Sequence, residues 1–261
     1  MISFTLFLSL FTAGLLEIFI PVILGLYFWS KLGAKWSVFF IGCVLFVVTL
    51  VRIPLNSVAS VWVYDNFTGA AFIYLSIAIP SLTAGVFEEG ARWIAFRFLI
   101  KDHKLVNGLM YGAGHGGIES ILLVGITVLG TAISAYFYPQ TMSANQLATI
   151  SATPEWVAFI GLWERLAAIS FHIGMSVLIL QSFRTKQPFY VGVAIAAHFF
   201  FNFSAVYASQ FGIIQSEIVA TIWGLVALWY VWTTWKAEKT TQVETPPPQQ
   251  VPETPAPPTL G

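Results

Sequence analysis

Between Phe4 and Trp235 the chain is laid out as seven apolar runs, each about twenty residues or longer and each interrupted by few charges. A bilayer core about 30 Å thick is crossed by about 20 helical residues rising 1.5 Å each, so every run is long enough to span it. The runs fall near 4–28, 37–57, 69–99, 105–135, 154–181, 188–210 and 213–235. None alternates polar and apolar residues over strand lengths, and a lipid-embedded backbone satisfies its hydrogen bonds only as helices or a closed barrel. The chain is therefore predicted to be an all-α polytopic membrane protein with about seven transmembrane helices. Composition agrees, with 57% of residues hydrophobic and 9% charged, against about 25% charged in soluble domains.

Short loops rich in Lys and Arg stay in the cytoplasm. Lys31 and Lys35 follow the first run, Arg97, Lys101 and Lys104 close or follow the third, Arg184 and Lys186 follow the fifth, and Lys236 and Lys239 follow the seventh. The opposite loops carry Asp65, Glu155 and Glu217 and no basic residue. This bias predicts an N-terminus outside and a C-terminus inside; the membrane is expected to be a bacterial plasma membrane. No Lys or Arg precedes position 31, so the first run reads as a retained helix and not as a cleaved signal peptide. Residues 1–236 are read as the helical domain and the Pro-rich stretch 237–261 as a disordered cytoplasmic tail, first as a plain linker-like terminus and alternatively as a segment that docks a partner. Cys43 is the single cysteine, which excludes an internal disulfide and a thiolate metal cluster. No basic patch suited to nucleic acid is present.

Inside these runs lie groups that lipid does not tolerate. An ionised side chain at the centre of a lipid-facing helix costs roughly 2.5 to 3.5 kcal/mol even on a mild insertion scale. Yet Glu88, Glu89 and Arg92 sit in the third run, His115 and Glu119 in the fourth, Glu164, Arg165 and His172 in the fifth, and His198 and Asn202 in the sixth. Counted from the cytoplasmic ends at 1.5 Å per residue, Glu88, Glu89, His115, His172 and His198 all fall about 15 Å deep. Four helices thus present polar groups to one layer at mid-membrane, and the groups are expected to face one another or water.

Residues three or four apart share a helix face. Arg92 is reachable from both Glu88 and Glu89, so one carboxylate can be neutralised while the other exchanges a proton. Tyr111, His115 and Glu119 lie along one stripe, and the intervening glycines permit close approach of a backbone or a substrate. His198 and Asn202 repeat the spacing and can donate hydrogen bonds to a developing oxyanion.

The order Glu88-Glu89-Gly90-Ala91-Arg92, Tyr111-x-x-x-His115 and His198-x-x-x-Asn202 resembles the intramembrane peptidases that include the type II CAAX prenyl proteases and the CPBP membrane peptidases. Arg92 comes one residue earlier than in that pattern, Tyr111 replaces a Phe, and His172 has no counterpart in those motifs. The short first motif, His115-Gly-Gly-x-Glu119 and the Glu164-Arg165 pair ahead of His172 look most like the YhfC family of intramembrane peptidases, over nearly the whole chain except the tail.

The resemblance implies hydrolysis of a peptide bond in a membrane-associated protein or peptide. Glu88 and His115 would activate water, His198 and Asn202 would stabilise the oxyanion, and Glu89, Arg92, Glu119 and His172 would support them. The shifted Arg92 leaves either Glu88 or Glu89 as the base. The motif order places the chain with a metal-free, glutamic-type mechanism and no cofactor. The alternative is a zinc metalloprotease that uses His115, His172, His198 and Glu88 as ligands. A proton-coupled or metal-ion transporter, or a non-proteolytic scaffold, would also gather such groups, although no inverted repeat is evident. Glu17, Arg52, Glu119, Glu164 and Arg165 also fit a packing role, holding helices together by hydrogen bonds.

Overall fold

A computed structural model describes residues 1–244, and among them every regular element is helical. Helix α1 spans Phe4–Leu32. Its start is capped by the Ser3 side chain, which accepts from the Leu6 N–H, and its end turns at Gly33 with φ 69°, a conformation that favours glycine. The second apolar run, predicted as one span, is two helices: α2, Trp36–Thr49, and α3, Arg52–Asn66. Pro54 accounts for the break. It has no N–H to give the carbonyl of Leu50, which accepts from Ile53 instead at 2.9 Å.

Helix α4, Gly69–Ile94, continues into a wider π-helical turn over Ala95–Leu99. The fourth run comprises α5, Leu105–Glu119, a π-helical stretch Ser120–Gly125 and α6, Ile126–Phe137. A short helix α7, Ala144–Ser151, begins with a reciprocal cap between Ser143 and Gln146 in the loop before α8, Val157–Arg184. Helices α9, Phe189–Ser209, and α10, Ile213–Glu244, complete the bundle. Among the described residues seven helical stretches are long and apolar enough to cross a membrane, matching the seven runs. The boundary drawn at 236 from composition cuts through α10, which continues to Glu244. Beyond that point the stretch read as a disordered tail lies outside the described residues.

Helices α5 and α8 form the centre. Every residue from Phe171 to Leu180 is buried, as is every residue from Asn107 to Gly117. A helix buried on all sides has no polar face to show, which is why both read as continuously apolar apart from their site residues. In lipid, helices associate through close packing more than through burial from water. The glycines of α5 supply that closeness: a Cβ on Gly112 would stand 2.5 Å from the Ile173 Cα of α8, and one on Gly42 of α2 would stand 2.5 Å from the Tyr111 carbonyl oxygen. On the far side, a Cβ on Gly85 of α4 would lie 2.8 Å from the Ile195 carbonyl oxygen of α9. These contacts pack α2 and α8 against α5 and α4 against α9, and the polar residues of the five helices meet at one point.

Candidate active site

Glu88 stands at the middle of that point, and its two oxygens face different partners. Oε1 accepts from Arg52 Nη2 at 2.9 Å. Oε2 lies 3.1 Å from His115 Nε2, 3.7 Å from His198 Nε2 and 4.0 Å from His172 Nδ1. Each imidazole comes from a different helix, and all three are buried with Glu88. The common depth counted from the sequence is therefore also a common location.

Around this group a further set of carboxylates holds the rings. His198 Nδ1 is 2.7 Å from Glu89 Oε1, and Glu89 also pairs with Arg92, which is fully buried. His172 Nε2 is 2.7 Å from Glu119 Oε2, while Arg165 links Glu119, at 3.3 Å, to Glu164. A carboxylate on one ring nitrogen fixes the tautomer and turns the other nitrogen's lone pair toward its target, the arrangement found behind metal-bound histidines. His198 Nε2 and His172 Nδ1 are turned toward Glu88 in this way. Arg92 Nη2 also reaches His172 Nδ1, at 2.5 Å. His115 Nδ1 is buried without a hydrogen-bond partner.

Glu88, His115 and His172 each offer one ligand atom, and these atoms lie within 4.8 Å of one another. Two imidazoles and a carboxylate form a donor set used by catalytic zinc, with a fourth position left for water or substrate. A cavity of about 230 Å³ adjoins the group. Arg52, Glu88, His172, His198 and Asn202 are among its lining residues, so water and a ligand have room beside the carboxylate.

Of the residues singled out from the sequence, Glu88, Glu89, Arg92, His115, Glu119, His172 and His198 are joined in one network. Asn202 is placed on the cavity wall one turn beyond His198. Tyr111 is buried with its hydroxyl unpartnered and its ring 5.8 Å from that of His115, so it packs on the site without bonding to it. Arg52, read from the sequence as a packing residue, is in contact with Glu88 and lines the cavity. Its signal was a lone arginine deep in an apolar run two residues before a proline.

Helical architecture and a buried Glu/His group of this composition define a polytopic membrane protein with a metal-competent centre. The chain belongs to the family described as YhfC intramembrane metalloprotease, whose model matches residues 16–223. It is 31% identical over 241 residues to the membrane protein YhfC of Bacillus subtilis (strain 168), covering 84% of this chain and 93% of that protein. No solved structure matches. The family's description and the Glu/His/His group both favour the metal-dependent alternative over the metal-free mechanism that the motif order suggested.

Proposed function

We propose that the protein is a metal-dependent intramembrane peptidase that hydrolyses a peptide bond in a membrane-associated substrate, with Glu88, His115 and His172 as the metal ligands. The observation that carries this reading is the convergence of their ligand atoms within 4.8 Å at mid-membrane, in a chain of this family. The residues fit a divalent ion. His115 brings a ring with no competing partner on Nδ1, His172 is backed by Glu119, and Glu88 is oriented through Arg52. Arg92 must give up His172 Nδ1 and retain Glu89. When bound, the metal supplies Lewis acidity to water and to the scissile carbonyl.

The chain's own residues perform the remaining work. With its Nδ1 proton directed to Glu89, neutral His198 presents Nε2 to the cavity as an acceptor. It can take a proton from the attacking water, with Glu89 stabilising the imidazolium, and then return that proton to the leaving amine. This gives His198 an acid–base role where the motif resemblance implied oxyanion stabilisation. Asn202, one turn along the same wall, keeps the oxyanion role through its carboxamide N–H.

A second reading rests on the direct contact of Glu88 with His115 at 3.1 Å: a metal-free pair that polarises water, with Arg92 remaining on His172. Both readings require proteolysis. Purified protein mixed with candidate membrane proteins is expected to generate new chain termini, detected by mass spectrometry, and Glu88→Gln is expected to generate none. Equal cleavage by the two proteins would overturn the assignment of the site.

A further inference from the structure

The cavity beside Glu88 has a direction. On α9 its wall runs through His198, Asn202, Ala205 and Ser209, a single helical stripe that ends at the last residue of the helix. Opposite that stripe lie Ser216 and Glu217, in the first two turns of α10. The eleven steps from His198 to Ser209 rise about 16 Å, about half the thickness of the bilayer core. The cavity therefore extends from the polar layer to the α9–α10 turn. The α8–α9 turn, with Arg184 and Lys186, lies at the other end of the bundle. By the distribution of basic residues, the cavity leads to the non-cytoplasmic face.

Its lining identifies what can enter. Glu119, Glu164, Arg165 and Glu217 are among the residues that border it, and Glu217 Oε2 is buried without a partner. These groups suit water and a peptide backbone, and Phe201, Ala205, Val206 and Ala220 add apolar surface for its side chains. A larger cleft of about 610 Å³ lies among α1, α5, α8 and α10, but it is lined by residues such as Ile20, Leu109, Ile169 and Leu228 and includes none of the site residues. Its apolar lining does not include Glu88 and gives no path to it.

We propose that the polar cavity is the entry route to the active site, open to the non-cytoplasmic face, and that it receives an extended peptide segment presented on that side of the membrane. About five extended residues would fill its length. The nature of the guest rests on the peptidase reading above, whereas the route itself does not.

The test uses Cys43→Ala protein, which has no other cysteine, carrying Ala205→Cys, Ser209→Cys or, as a control at the opposite end, Thr185→Cys. A membrane-impermeant maleimide is applied to right-side-out and to inside-out vesicles. Ala205→Cys and Ser209→Cys are expected to label only in the right-side-out vesicles and Thr185→Cys only in the inside-out ones. Labelling of Ala205→Cys only in inside-out vesicles, or in neither, would overturn the route. If it labels as expected in a protein that neither binds metal nor cleaves peptides, the route stands and the peptidase reading falls.

Discussion

Arg52 Nη2 donates to Glu88 Oε1 at 2.9 Å, and this contact leaves Oε2 of the same carboxylate to face the three imidazoles. Arg52 is the first residue of α3, immediately after the break imposed by Pro54. The break is thus what brings a guanidinium over the carboxylate. Removing that guanidinium leaves Oε1 without its donor and Glu88 held only through Oε2, by His115. Arg52→Gln is predicted to lower kcat by about 10- to 100-fold, the usual effect of losing a group that orients a ligand, with little change in KM. Arg52→Lys should recover part of the loss. Steady-state kinetics beside a thermal melt in detergent checks this, and an unchanged kcat would remove Arg52 from the site.

Glu119 fixes the ring of His172 through Nε2 at 2.7 Å. Glu119→Gln keeps the size of the side chain but weakens the acceptor. Metal affinity is predicted to fall by about 10- to 100-fold, read by competition against a chromogenic chelator. An unchanged affinity would mean that His172 is not a ligand.

Two glycines separate packing from chemistry. Gly112→Ala sets a Cβ 2.5 Å from the Ile173 Cα, a backbone atom that cannot step aside, and is predicted to cost about 1 to 3 kcal/mol. Gly90 lies in α4 beside Glu89 with no atom within 4 Å of its would-be Cβ. Gly90→Ala should leave stability unchanged or raise it by up to about 1 kcal/mol, because alanine is the better helix former. Unfolding midpoints in one detergent compare the pair.

Reporter fusions at Lys35, Lys104 and Lys186 are predicted to lie in the cytoplasm, and one after Ser151 on the opposite face, because the extramembrane Lys and Arg cluster on one side. A cytoplasmic position for Ser151 would reverse α8 and contradict the topology.

Much of the site was legible because rise along a helix is constant. Counting residues from the span ends put Glu88, His115, His172 and His198 at one depth, and the structure places them together. Depth says nothing about which way a helix is turned relative to its neighbours, so the pairing of Arg52 with Glu88 and of Glu119 with His172 was not legible. The contact behind the role proposed for His198 was hidden for the same reason: which ring nitrogen is tied depends on Glu89, which lies on another helix. Hydropathy located the second span but not its break, because Pro54 lies within an apolar run whose average barely changes.

The metal content of the purified protein, measured together with cleavage, tests the central claim most directly. The account predicts one divalent ion per wild-type chain, lost in His115→Ala and His172→Ala, with cleavage abolished by chelation and restored by adding the ion back. Full cleavage by protein stripped of metal would contradict it and would return the chemistry to Glu88 and His115 alone.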